Sequence, residues 1–205
     1  KDGLKRLLLP SLKREALTLL KEKSSSEAIT LFGKNLKELL LTPPLVNQVI
    51  LGMDPGYVSG CKLAVIDENG NYLASNVIYP TKPKEDFITS AKIVLELIKK
   101  YKINSIAIGN GTASQETAAF ISKLINENNL DVKYAVVSEI GASVYSASKI
   151  AMMEYPNLDV TIRGAISIAQ RLRDPMAALV KIDPKSLGIG QYQHDVNQKE
   201  LEQKL

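Results

Sequence analysis

The sequence predicts an α/β protein built on a mixed sheet, in the order βββαβαβ plus further helices, with a helical segment ahead of it. Three observations lead there. Short β-rich runs follow one another from Val49 to Tyr79 across tight connections, the pattern of an antiparallel meander. From Pro83 onward, helical periodicity alternates with short apolar runs, which calls for parallel crossovers. Before Pro43 the apolar residues recur at helical spacing.

Taken in order, residues 11–41 carry Leu12, Ala16, Leu19, Leu20, Ala28, Leu31, Phe32 and Leu39 three or four apart, with Lys and Glu between them. Ser24–Ser26 interrupt the stripe, and Ser24 with Glu27 has capping-box spacing, which allows two consecutive helices. Pro43 and Pro44 end the segment. A stripe this long has to dock, and a protein domain is the expected surface rather than a membrane. Val49–Asp54 then reads as a strand, followed by a glycine-bracketed loop, the strand Cys61–Ile66, a turn at Asp67–Gly70 and the strand Tyr72–Tyr79; Asn69-Gly70 is a strong hairpin signal. Pro83–Tyr101 is helical through Phe87, Ala91, Val94, Leu95 and Ile98. Ser105–Gly109 is a strand, Thr112–Asn128 a helix in which Thr112 and Gln115 have capping-box spacing, and Val132–Val137 a strand. Ala142–Glu154 and Ile162–Arg173 are helical.

Composition narrows the function classes. The 205 residues are 45% hydrophobic and 23% charged, with one cysteine. The apolar runs are far short of the roughly 20 residues that a membrane span needs. One cysteine excludes an internal disulfide, and the first residues do not resemble a signal peptide, so a cytoplasmic location is expected. The net charge of +4 lies wholly in residues 1–47, which hold nine Lys or Arg against five acids, while the remainder balances seventeen against seventeen. The neutral remainder weakens the case for a general polyanion binder, since phosphate affinity scales with cationic contacts.

Three places could carry chemistry. Asp54 ends an apolar strand and is followed by Pro55-Gly56 and Gly60, where a ligand can approach bare backbone. A metal-dependent nuclease or an actin-like ATPase would use such an aspartate, and an Asx-type turn is the structural alternative. No later Asp-x-Gly phosphate loop supports the ATPase. Gly109-Asn110-Gly111-Thr112 joins a strand to a helix, so its amides could hold a phosphate, or its glycines could simply allow the turn. Glu139 follows the strand ending at Val137, which this topology can bring near the first strand, so Glu139 could face Asp54; an exposed loop glutamate is the alternative. Cys61 reads as core, His194 has no nucleophile beside it, and no Cys/His cluster suggests zinc.

The runs Leu51–Asp67, Ile106–Ser114, Val137–Ser148, Arg163–Ala169 and Lys181–Asn197, in this order, resemble the Tex family of bacterial transcription accessory proteins. The resemblance implies a piece of a longer protein: 1–47 as the end of a helical region, 48–180 as a YqgF-type domain of ribonuclease H-like fold, and 181–205 as the entry to a helix-hairpin-helix region, with an OB-fold RNA-binding domain elsewhere. It implies nucleic acid, RNA or DNA, as partner of the full-length protein, together with the transcription machinery, and no membrane. Relatives of the YqgF domain include Holliday-junction resolvases with several acidic residues and divalent metal. Asp54 matches their first-strand aspartate, and Glu139 falls in a loop where they carry another acid. The strand ending at Gly109-Asn110 lacks their glutamate, and Arg163-Gly164 stands near their last aspartate.

An arginine there would oppose a cation and pair with Asp54 or Glu139, or else form a structural salt bridge. The resemblance therefore implies a vestigial nuclease site in a nucleic-acid-associated scaffold domain. No cofactor is expected, with Asp54 and Glu139 as ligands to Mg²⁺ or Mn²⁺ under the nuclease alternative. Gly56, Gly60, Asn110, Gly111, Thr112 and Arg163 are the candidate nucleic-acid or phosphate contacts.

Overall fold

The computed structural model describes residues 2–205, which divide into two compact units. One comprises the chain up to Leu39 together with Gly188–Leu205, the other Leu40–Leu187.

In the first unit a π-helical turn, Leu4–Leu8, leads into helix α1 (Leu9–Leu40). Helix α1 runs unbroken through Ser24–Ser26, which corrects the expectation of two helices. Serine costs only about 0.5 kcal/mol relative to alanine inside a helix, too little to break one flanked by good formers. Ile29, Phe32 and Leu36 are buried, whereas Leu7, Leu19 and Leu20 are exposed. Phe32 packs against Gly190, where a Cβ would come within 2.0 Å of its ring, and Asn35 Nδ2 donates to Ile189 O at 2.8 Å. Among the described residues no helix is long and apolar enough to cross a membrane.

The second unit holds the sheet. Its strands are β1 (Ile50–Asp54), β2 (Cys61–Ile66), β3 (Tyr72–Ile78), β4 (Ser105–Gly109) and β5 (Lys133–Val137), in the order β3-β2-β1-β4-β5. The β1–β2 and β2–β3 pairs are antiparallel, and β4 adds parallel to β1 and β5 parallel to β4. The meander and the parallel second half follow the sequence pattern.

Helices α2 (Phe87–Tyr101) and α3 (Ser114–Glu127) cover one face, where Val94, Leu97, Phe120 and Ile121 pack on Leu51, Met53, Leu63, Val65, Ile106 and Ile108. The other face takes α6 (Val160–Arg173), whose Ala165, Ile166, Ile168 and Ala169 pack on Ile50, Ala64, Ile66 and Ala107. Side chains alternate along a strand, so Gly52, Asp54, Lys62 and Gly109 all lie on the α6 side. Gly52 sets the spacing of the layers: a Cβ there would sit 2.2 Å from Ala165 O and 2.8 Å from Ala169 Cβ.

Helix α6 begins two residues before the expected Ile162, capped by Asp159, and three further helices depart from the sequence pattern. Asp86, whose side chain accepts from Thr89 N–H, begins α2 four residues after Pro83. Thr112 does not cap α3; Ala113 holds that place in a left-handed conformation with no side-chain bond. The expected helix 142–154 is two short ones, α4 (Ala142–Ser146) and α5 (Lys149–Glu154), because Ser148 turns extended and caps the second.

Gly52→Ala is expected to destabilise the fold by on the order of 3 kcal/mol, since a backbone carbonyl cannot yield as a flexible side chain does. Thermal unfolding should shift down by roughly 6–12 °C. Gly3→Ala, where a Cβ meets nothing within 4 Å, should move it by less than about 2 °C.

Candidate functional site

The C-terminal end of β1 and the turns around it enclose a cavity of about 220 Å³ between Asp54, Glu139, the N-terminal part of α6 (Val160, Thr161, Gly164) and α4 (Ala142, Ser143, Ser146). Strand parity places Asp54 there. A Cβ on Gly164 would stand 3.2 Å from Asp54 Oδ2, so the glycine lets α6 start close beside the carboxylate. No hydrogen bond to the Asp54 carboxylate is made among the described residues, so the Asx-turn alternative is not what holds it. Burial, with the Glu139 charge adding to it and the Lys62 charge opposing, raises the Asp54 pKa from 3.8 to about 6.

Glu139 follows β5 and is brought to the same cavity. Its carboxylate lies over Gly109 and Gly111, where added Cβ atoms would come within 2.8 and 1.9 Å of it. Asn110 Oδ1 accepts from Glu139 N–H at 3.0 Å, and Asn110 N–H donates to Val137 O at 3.0 Å. The glycine-rich turn thus presents its bare face to a carboxylate, in the place where the sequence offered a phosphate cradle. Thr112 takes no part in the cavity lining.

Arg163 differs from the sequence expectation. Its Nε donates to Tyr155 O at 3.1 Å and its Nη1 to Ser146 O at 3.4 Å, so it braces α4 and α5 and pairs with neither Asp54 nor Glu139. No ion pair involves Arg163 among the described residues, so the salt-bridge alternative fails as well. One helical residue turns about 100° about the axis, which is why Gly164 and not Arg163 faces Asp54.

The cation beside Asp54 is Lys62, its register partner across the hairpin. Lys62 is buried, donates from Nζ to Gly60 O at 3.0 Å and to Ser59 Oγ, and so gathers the loop after Asp54 around its ammonium. Gly60 has φ +76° and would place a Cβ 2.6 Å from the Tyr79 ring, while Gly56 packs on Gly60 O, so both glycines serve the turn itself. Lys62 could have been found as a lone lysine in an apolar run at the parity of Asp54.

A two-metal nuclease centre needs several converging carboxylates. Among the described residues no group of three or more His, Cys, Asp or Glu comes together. Glycines stand at Gly109 and Gly164, and an ammonium neighbours Asp54. The residues present do not fit a two-metal centre.

The raised Asp54 pKa makes its charge a cost. Between about pH 4 and pH 6 the folded state holds a proton that the unfolded chain has lost, so stability falls as pH rises through this window. Asp54→Asn should therefore unfold at higher temperature than the wild type at pH 8, by an amount on the order of 2 kcal/mol, with the gap closing toward pH 4. Melting curves across that range check it; a gap independent of pH would contradict the assignment.

The family described as Tex protein YqgF-like domain matches residues 48–173. Transcriptional accessory protein Tex of Neisseria gonorrhoeae is 50% identical over 198 residues, covering 95% of this chain and 25% of that protein. S1 RNA-binding domain-containing protein 1 of Homo sapiens is 45% identical over 200 residues, covering 96% and 20% respectively. The chain spans about a quarter of the length of the curated relatives it matches. Among solved structures, Thermus thermophilus RuvC aligns with a TM-score of 0.45 at 17% identity, over 65% of this chain and 95% of RuvC. The antiparallel meander extended by two parallel strands, together with the family match over the same residues, makes this a ribonuclease H-like α/β fold, and the chain belongs to the Tex family through its YqgF-like domain.

Proposed function

We propose that residues 48–180 are a non-catalytic, nucleic-acid-associated scaffold domain of a Tex-like transcription accessory factor, retaining a ribonuclease H-like pocket without its chemistry. The observation that carries this reading is the composition of the pocket. Two carboxylates converge with no third acid beside them, Gly164 stands on the α6 side of the pocket, and the Lys62 charge acts on Asp54 from the neighbouring strand. No cofactor is assigned. Mg²⁺ or Mn²⁺ enters only under the alternative of a metal-dependent, resolvase-like hydrolase.

Nucleic acid is proposed as the partner of the whole protein on the strength of relatives named for transcription and for S1 RNA binding. Residues 181–205 are proposed as the entry to a helix-hairpin-helix region, and contact with the transcription machinery is proposed for the whole protein. The residues outside the basic N-terminal segment are neutral by count, so the domain itself should add few phosphate contacts.

Two assays test the reading. Branched DNA incubated with the chain and Mn²⁺ or Mg²⁺ should be cut no faster by the wild type than by Asp54→Asn; cleavage that depends on Asp54 would overturn the scaffold assignment in favour of the hydrolase. Binding of RNA or DNA should weaken with salt along a shallow slope, corresponding to about two to four displaced ions. A steeper slope that survives removal of charge from residues 1–47 would locate a phosphate-binding surface on the domain.

A further inference from the structure

Arg171 lies on α6, two turns beyond Gly164, and is only 6% exposed. Its Nη1 donates to Ser138 O at 2.8 Å and to Ile140 O at 2.6 Å, the two carbonyls that flank Glu139. Its Nη2 is buried with no partner. No carboxylate pairs with it among the described residues, and burial alone draws its pKa down to about 10. An unpaired buried guanidinium is expensive to keep. A neutral side chain would fill the same space more cheaply if packing were the whole task, so the cost points to what the guanidinium grips.

That grip is one side of a clamp. On the other side Asn110 Oδ1 accepts the Glu139 N–H at 3.0 Å. Between them the Glu139 carboxylate occupies space open only because Gly109 and Gly111 lack side chains. A small movement of the loop would take the carboxylate off this seat and away from Asp54.

We propose that Arg171 is the positioning residue of the site: by bridging the carbonyls of Ser138 and Ile140 it sets the Glu139 carboxylate against the Gly109–Gly111 turn and within electrostatic reach of Asp54. This deepens the reading of Asp54 and Glu139 as one pocket and rests on it. It does not require that the pocket bind nucleic acid.

The test reads the Asp54 carboxyl by ¹³C NMR titration in the wild type, Glu139→Gln, Arg171→Met and the double variant. Loss of the Glu139 charge should lower the Asp54 pKa by roughly half a pH unit. Arg171→Met should lower it in the same direction, and the double variant should fall no further than Glu139→Gln alone. The sign is diagnostic, because simple removal of a distant positive charge would raise the Asp54 pKa instead. A rise or no change in Arg171→Met overturns the positioning role while leaving the shared pocket intact. No change in Glu139→Gln overturns the shared pocket, and the positioning role with it. Both bonds leave the single nitrogen Nη1; Arg171→Gln keeps an amide donor but ends two bonds short of that position, so it cannot reach the two carbonyls and it too should lower the value. This variant carries the test if Arg171→Met does not fold, and an unchanged Asp54 pKa in it overturns the proposal.

Discussion

The close seating of α6 on β1 at Gly52 is the contact on which the rest of the second unit depends. Because Gly52 has no side chain, the α6 backbone reaches the sheet at Ala165 and Ala169, and the helix lies nearly in contact with the strand that ends in Asp54. Every helical residue is then delivered to a fixed place. Gly164 meets Asp54, Ile168 lies against Gly109, and Arg171 reaches the carbonyls around Glu139. One glycine in a strand and a row of small residues on a helix thereby determine the shape of the pocket.

The pocket is electrostatically unfavourable by itself. Asp54 is half-buried beside another carboxylate with no hydrogen bond to its oxygens among the described residues, and only Lys62 offsets this. Folding tolerates the arrangement because the hydrophobic faces on both sides of the sheet are well filled. Local electrostatic cost carried by a stable scaffold is common where a site has, or once had, a ligand to receive. Two carboxylates with glycines at Gly109 and Gly164 around them are too few to hold two metal ions.

Much of this was legible in the sequence. The strand Ser105–Gly109, the Asn69-Gly70 turn and the position of Asp54 at a strand end depend on local patterns that tertiary structure did not override. Strand order allowed Glu139 to face Asp54 but left an exposed loop position equally open; the bond from its N–H to Asn110 Oδ1 and its seat over Gly109 and Gly111 decide between them. What was not legible depends on rotation and register. Arg163 and Gly164 are adjacent in sequence yet point in different directions, and nothing short of helix docking decides which faces the pocket. Lys62 could be placed opposite Asp54 only once the register of the hairpin was known. Thr112 kept the spacing of a cap, but the left-handed Ala113 behind it displaced the start of the helix. Arg171 had no signal, because its partners are backbone carbonyls.

The proposed function rests on a pocket whose two carboxylates, Asp54 and Glu139, do not make a two-metal centre. Electron paramagnetic resonance of Mn²⁺ titrated into the chain, wild type against the Asp54→Asn, Glu139→Gln double variant, measures this most directly. The account predicts that the wild type takes up no pair of ions beyond the weak background of the double variant. Two Mn²⁺ ions bound per chain with mutual spin coupling, lost in the double variant, would contradict it.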